Sequence, residues 1–290
     1  MSPNTRGAVF MVLSMCAFAG EDAFLKFAFE HVPRGMAFTL FGLIAMSICA
    51  MLSRRANEAV FPKSFLSRGL LARSAIELIG RLFYTLSIAF VSLSLTSVIL
   101  QATPLVVTLG AALLFSEKVG PRRWIAMLIG FAGVILILRP TPAMFDPLVI
   151  LPVIGMLGFA GRDLATRASP PHVSGRQLGT LGFIVVTVAG LIIWAFDPRL
   201  PQEANAAAWG AIVVAACFGT VAYNALTTAM RSGEIGVVAP FRYSRLLVAL
   251  AIAYVAFGER PDAITLVGGA LIVATGLYTL LRTGRSAQAL

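Results

Sequence analysis

The chain has 290 residues, 58% of them hydrophobic and only 12% charged, with a formal net charge of +10. A soluble domain carries roughly 25% charged residues, so the composition excludes a water-soluble globular protein and points to an integral membrane protein. The positive charge does not signal nucleic-acid binding, because the basic residues are strung through short links between apolar runs rather than gathered on one face.

A membrane-spanning helix needs about 20 mostly apolar residues. Ten such segments are expected, at 7–29, 35–52, 69–91, 96–115, 122–138, 147–166, 178–196, 208–230, 237–257 and 263–281. Arg6 followed by an apolar run and Ala17-Phe-Ala19 imitates a cleavable signal peptide. The apolar run resumes after Lys26, however, and a copy of its central motif lies inside the chain, so a retained helix is expected. The links are short, with no room for a soluble domain. Cys16, Cys49 and Cys217 fall in apolar segments, and His31 and His172 fall in or beside links. Neither set has metal or disulfide spacing.

Orientation follows from the basic residues in the links. With the N-terminus inside, the cytoplasmic side holds 13 of them, from Arg6 through Arg54, Arg55 and Lys118 to Arg285, against Arg34, Arg139, Arg199 and Arg260 on the other side. Both termini are therefore expected to be cytoplasmic.

The first segment contains Phe18-Ala-Gly-Glu-Asp-Ala-Phe-Leu-Lys26, and the sixth repeats it as Phe159-Ala-Gly-Arg-Asp-Leu-Ala-Thr-Arg167, offset by 141 residues. Ser116-Glu117-Lys118 matches Gly258-Glu259-Arg260 at an offset of 142, and the glycine-spaced runs at Gly133 and Gly276 match at 143. Similar offsets imply two copies of about five helices, 1–140 and 141–290. Five is odd, so the second copy must enter the membrane from the opposite side. The fold class expected is an all-α integral membrane protein of ten transmembrane helices in two inverted five-helix repeats, with a site where the halves meet.

Two halves that each end in an acidic turn and a glycine-spaced helix resemble the drug/metabolite transporter superfamily, EamA branch. Ser116-Glu117 and Gly258-Glu259 carry the resemblance, with Gly130, Gly133, Gly268, Gly269 and Gly276 behind them. It implies a bacterial inner-membrane carrier, for substrates ranging from amino acids to vitamins, nucleotide derivatives and amines. One departure stands out. Pro104 lies thirteen residues before Glu117, whereas the equivalent place before Glu259 is Leu246, and the ninth segment instead carries Pro240, Arg242, Tyr243 and Arg245.

Ten charges fall inside the expected spans, namely Lys26, Arg73, Arg81, Arg162, Arg242, Arg245, Glu21, Asp22, Glu77 and Asp163. Each is costly at a helix centre, about 2.5–3.5 kcal/mol on insertion scales, so they must face protein or water and pair where they can. Asp22 and Lys26 are four apart, as are Asp163 and Arg167, which predicts two same-face pairs. These read as symmetry-related gates, one toward each side. Arg73, Glu77 and Arg81 form a ladder at the same spacing, able to hold a carboxylate or phosphate, with Arg73 expected to snorkel to the cytoplasmic surface. Glu21 and Arg162 occupy the same place in the two copies with opposite charge, and are expected either to pair across the seam or to leave Glu21 as a proton carrier. The first-helix glutamate of the related small multidrug resistance proteins implies the second role.

The candidate substrate-binding residues are Arg81, Glu77, Tyr84, Gln101, Tyr223, Asn224, Arg242, Tyr243 and Arg245. The candidate gating or coupling residues are Glu21, Asp22, Lys26, Arg162, Asp163 and Arg167. A Tyr or Gln within a span also reads as a helix–helix hydrogen bond. Six bases against four acids favour an anionic or zwitterionic metabolite over a lipophilic cation. No P-loop is present, so a solute or ion gradient must drive transport. A proton-coupled multidrug or amine exporter is the alternative. A membrane-embedded lipid-modifying enzyme would need a nucleophile, base or metal cluster that the spans lack. The expected partners are a small-molecule substrate and the lipid bilayer, with proton or counter-solute coupling and the choice of monomer or homodimer left open. No nucleic acid, cofactor, metal or enzymatic activity is expected.

Overall fold

The computed structural model describes residues 1–91, 93–142, 147–196, 205–257 and 262–287. Arg199, Gly258, Glu259 and Arg260 lie outside the described residues. The described chain is helical throughout. Its helices are α1 (Pro3–Phe29), α2 (Arg34–Arg55), α3 (Arg68–Phe90), α4 (Leu93–Leu100), α5 (Thr103–Leu114), α6 (Pro121–Leu138), α7 (Ile150–Arg167), α8 (Gly175–Phe196), α9 (Ala206–Arg231), α10 (Ile235–Val238), α11 (Ser244–Phe257) and α12 (Ala263–Ala287). Seven stretches among the described residues are long and apolar enough to cross a membrane. The helix α3 has the length but carries Arg68, Arg73, Glu77 and Arg81.

Local chemistry sets the ends. Ser2 caps α1 by accepting from the Thr5 N–H at 3.2 Å, with Pro3 at the first turn, where its missing N–H costs nothing. Asn205 caps α9 in the same way, through Ala208 N–H at 2.9 Å. In the α2–α3 link, Glu58 accepts from Arg176 Nε and from the Ser174 hydroxyl, tying that link to the start of α8. The Arg176 hydrogen bond holds the Glu58 carboxyl below its usual range, and the Ser174 bond adds to this. At the other end, Arg139 beside Asp262 depresses that carboxyl too, joining the ends of α6 and α12.

Two expected spans are broken. The fourth is α4 and α5 with a turn at Gln101 and Ala102. The ninth is α10, a 3-10 turn over Ala239–Tyr243, and α11. Proline is the cause in each case: Pro104 and Pro240 lack the N–H and crowd the carbonyl four residues back. The sequence shows both prolines, but reading these segments as continuous helices missed the breaks. The two breaks fall at corresponding places in the two halves.

Every long seam joins a first-half helix to a second-half one. The helix α1 packs along α9, α2 along α8, α3 along α7, and α6 along α12. Glycines permit the approach. A Cβ on Gly158 would lie 2.4 Å from Gly80 Cα, and Cβ atoms on Gly133 and Gly268 would meet each other's carbonyls at 2.6 and 2.7 Å. Along α2 and α8, Gly35 meets Trp194, Gly42 meets Thr187, and Gly190 meets Thr39, a reversed order that makes the helices antiparallel. The glycine of each copied motif has the same job. Gly20 on α1 packs against Phe218 on α9, and Gly161 on α7 against Ile76 on α3, contacts offset by 141 and 142 residues.

Candidate functional site

The i, i+4, i+8 spacing of Arg73, Glu77 and Arg81 puts all three on one face of α3, and packing turns that face to α7 and α9. Arg73 and Glu77 are fully buried. Arg73 Nη1 lies 3.4 Å from Glu77 Oε2, its Nε donates to Thr166 Oγ1 at 3.1 Å, and Nη2 donates to the Tyr223 hydroxyl. The Tyr223 hydroxyl in turn donates to Glu77, 2.9 Å from Oε2. This corrects the expectation that Arg73 snorkels to the surface. A carboxylate, a phenol and a threonine surround the guanidinium inside the protein, Nε and Nη2 by hydrogen bonds and Nη1 by the charge contact with Glu77 alone among the described residues.

The network continues onto α7. Arg162 Nη1 donates to Glu77 Oε1 at 3.2 Å, and its Nε donates to Asp163 Oδ1 at 3.0 Å. Arg242, presented by the 3-10 turn after Pro240, pairs with the other oxygen of Asp163. Three guanidinium groups, two carboxylates and one phenol thus form a buried chain across α3, α7, α9 and the broken ninth span. The expected Asp163–Arg167 pair does not form. Asp163 turns to Arg162 and Arg242, while Arg167 sits 3.6 Å from Glu117 and donates to the Met230 carbonyl at 3.3 Å. Nor do Glu21 and Arg162 pair. The Glu21 carboxylate is buried where the opposing residue is Gly219, whose added Cβ would lie 3.0 Å from Glu21 Oε2 and 2.8 Å from the Phe41 ring. Glu21 has no hydrogen bond or ion pair among the described residues.

The second cluster lies farther from the N-terminal end, because Arg81 is eight residues, about 12 Å, along α3 from Arg73. Asp22 pairs with Arg245, and the two side chains are 52% and 35% exposed. This replaces the expected Asp22–Lys26 pair. Lys26 is exposed and has no acid within ion-pair distance among the described residues. Arg245 lies over the Phe18 ring at 5.4 Å, and Arg81 over Phe159 at 5.9 Å. Arg81 Nε is buried without a hydrogen-bond partner among the described residues. Tyr84 packs edge-on to Phe159 at 5.8 Å and lies within electrostatic range of Asp22, Arg245, Arg81 and Glu21. Gln101 sits half-buried at the break of the fourth span.

Other candidates lie elsewhere. The Asn224 amide donates to the Thr220 carbonyl at 2.8 Å and reaches Cys49 Sγ at 3.6 Å, toward α2. Tyr243 is buried against Gly130, Val134 and Ile272 between α6 and α12. Tyr223 is 3% exposed, with its hydroxyl held in the ion network. Arg242 and Glu77 are buried in that network as well. Two residues of the arrangement, Phe18 and Phe159, carried no role in the sequence reading, although their repetition at the head of each motif copy was the available signal. Among the described residues, no three His, Cys, Asp or Glu side chains group to hold a metal.

Comparison with known proteins bears on both halves of the chain. The model of the EamA-like transporter family matches residues 5–139 and again 147–281. A riboflavin transporter of Vibrio cholerae is 27% identical over 60% of this chain, which spans 58% of that protein's length. A riboflavin transporter of Rhizobium johnstonii is 25% identical, covering 94% of this chain and 90% of its own. An S-adenosylmethionine uptake transporter of Rickettsia prowazekii is 21% identical, covering 92% and 84%. A solved crystal structure superposes with a TM-score of 0.82 at 14% identity, covering 97% of this chain and 98% of that one, and so shares the fold. A membrane protein with many apolar helices, matched by this family model over both halves, the chain belongs to the EamA-like transporter family of the drug/metabolite transporter superfamily.

Proposed function

We propose that this protein is a secondary carrier that moves a small anionic or zwitterionic metabolite across the bacterial inner membrane by alternating access. The observation that carries the reading is the Asp22–Arg245 pair, half-exposed within a bundle of apolar helices. Charges inside a membrane protein that are not buried in protein face a water-filled cavity, and such cavities are substrate pathways. The two helix breaks at corresponding places in the halves support a site between them. In this reading ten spans form two inverted repeats, 1–140 and 141–290, with both termini cytoplasmic. Exchanging the halves maps the α1–α9 seam onto the α7–α3 seam and returns the α2–α8 and α6–α12 seams to themselves.

The substrate site consists of Arg81, Arg245, Asp22, Tyr84 and Gln101, with Phe18 and Phe159 as aromatic walls. Arg81 and Arg245 take an anionic group, Asp22 a cationic one, and the rings take the flat body of the solute. Riboflavin and S-adenosylmethionine, transported by the relatives, both carry a planar nitrogen heterocycle, which fits such walls. Glu77, Tyr223, Arg242, Arg162 and Asp163 act as the scaffold behind the site.

Thermal-shift screening with riboflavin, S-adenosylmethionine and amino acids, followed by uptake into proteoliposomes, tests the reading. A ligand that stabilises the protein should lose most of that effect in Arg81→Ala and Arg245→Ala. Full stabilisation in both variants removes the site, and no protein-dependent flux of any solute removes the carrier. The buried Glu21, without an ion pair among the described residues, favours a second reading, in which the carrier is coupled to protons. Glu21→Gln should then abolish dependence on a pH gradient, and an unchanged dependence rejects coupling at this residue.

A further inference from the structure

The acidic turn that ends the first half, Ser116-Glu117, has no part in the site above, yet its carboxylate sits where both halves meet. Glu117 Oε2 accepts the Ile235 backbone N–H at 2.9 Å, at the start of α10. Its other oxygen, Oε1, is buried with no hydrogen-bond donor among the described residues and lies 3.6 Å from Arg167 at the end of α7. Around this carboxylate the same end is tied three more times. Arg167 donates to the Met230 carbonyl at 3.3 Å, Arg123 pairs with Glu234, and the Glu234 N–H donates to Asn4 Oδ1 at 2.7 Å. Ser116 is held at φ 55° and Gly233 at φ 67°, so both turns are bent into the left-handed region to bring these groups together. A Cβ on Gly233 would lie 2.3 Å from Asn4 Oδ1, so only glycine fits there.

We infer that Glu117 is a positioning residue that keeps this end of the carrier shut by holding the start of the broken ninth span. The helix α10 is only four residues long and runs directly into the 3-10 turn that presents Arg242, with Arg245 in the first turn of α11. Glu117 is therefore attached to a short lever whose far end carries the arginines that meet Asp163 and Asp22. Opening toward the chain's N-terminus requires Ile235 to leave the carboxylate, and that same movement shifts Arg242 of the scaffold and Arg245 of the site. The clamp has a weak arm and a strong one. Oε1 is held only by a charge contact, whereas Oε2 is held by a short charge-assisted bond.

This inference rests on the carrier reading, and the test separates the two. In a background with Cys16 and Cys217 replaced by serine, Thr108→Cys places a thiol just beneath the clamp. Thr108 is fully buried, and its Cγ2 is 3.6 Å from where a Cβ on Gly236 would lie. A membrane-impermeant maleimide applied from the N-terminal side should label this thiol about tenfold faster in Glu117→Ala, the shift expected from losing one charge-assisted hydrogen bond. Glu117→Gln keeps an acceptor for Ile235 but not the charge facing Arg167, so its rate should lie in between. If Glu117→Ala does not fold, Glu117→Gln and Arg167→Ala decide, each at an unfolding temperature close to that of the parent. Unchanged labelling in these variants overturns the inference, as does acceleration from both sides of the membrane alike, which marks general loosening. Failure of the carrier reading shows separately, as an absence of solute flux while the labelling difference persists.

Discussion

The two copies of the Phe-Ala-Gly-x-Asp motif are built alike and buried differently. In each, the phenylalanine lies under an arginine, with Phe18 below Arg245 and Phe159 below Arg81 and Arg162. In each, the glycine lets its helix close onto the other half, and the aspartate takes an arginine from the ninth span. The difference lies one residue before the aspartate. Arg162 finds Glu77 across the α3–α7 seam, while at the corresponding place on the α1–α9 seam Glu21 finds Gly219. Asp163 is consequently sealed in at 1% exposure, and Asp22 is left half-open at 52%. A duplicated motif is sealed inside the protein in one half and left partly exposed in the other, where the proposed substrate site lies.

The sharpest way to break this comparison is to neutralise the two aspartates separately. Asp163→Asn leaves Arg162 and Arg242 buried with one counter-charge fewer, and breaking a buried pair costs about 3–5 kcal/mol. Detergent-solubilised Asp163→Asn should therefore show a large fall in unfolding temperature or fail to accumulate. Asp22→Asn removes a partly exposed pair worth about 0–1 kcal/mol after solvent screening, so the fold should survive while ligand stabilisation changes. Similar unfolding temperatures for the two variants would erase the distinction.

A double-mutant cycle sharpens it further. Glu77 serves Arg73, Arg162 and Tyr223 together, so Glu77→Gln and Arg162→Gln share one network. Their combined effect on unfolding should depart from the sum of the single effects by about 0.5–3 kcal/mol. The pair Glu77→Gln and Asp22→Asn, spanning the two clusters, should be closer to additive. Strong coupling between the clusters would mean that they form one network rather than a scaffold and a site.

On the other seam, Gly219→Ala tests whether Glu21 is packed against bare backbone. The added methyl would stand 2.8 Å from Phe41 and 3.0 Å from Glu21 Oε2, in a cluster where Phe41 is 1% exposed. Overpacking of this kind costs about 1–3 kcal/mol, and a variant as stable as the parent would show that the seam has slack.

What could be read from the sequence follows the range of the forces involved. Seven of the expected spans were legible because an apolar run of membrane length reports on itself, and the duplication was legible because Phe18 to Lys26 and Phe159 to Arg167 can be laid side by side, as the family match to each half agrees. The ion pairs were not. A spacing of four places Asp22 beside Lys26 and Asp163 beside Arg167 on a helix face, but it cannot say what the neighbouring helix presents to that face. In the fold the partners are Arg245 and Arg242, 223 and 79 residues away, brought in by a break at Pro240. The same blindness applied to Arg73, whose buried partners Tyr223 and Thr166 come from two other helices. The ladder on α3 was nevertheless read as a unit, since its spacing is local, and Arg73 and Glu77 do meet.

The smallest expected effect falls on the last residue of the first copy. Lys26 is exposed near the end of α1 and has no acid within ion-pair distance among the described residues, while its counterpart Arg167 is built into the clamp with Glu117 and the Met230 carbonyl. A lysine with neither packing nor a partner contributes little, so Lys26→Ala should change stability by no more than about 0.5 kcal/mol. Arg167→Ala, in contrast, removes a contact on each side of the seam and should label faster at a thiol placed beneath the clamp. The two substitutions delete a cation from matching positions of one motif, so composition and local sequence cannot account for a difference between them. If Lys26→Ala destabilises the protein by clearly more than this, or speeds that labelling as far as Arg167→Ala does, then the first copy has a hold on its surroundings equal to that of the second. In that case the two halves would have to be treated as equivalent gates after all.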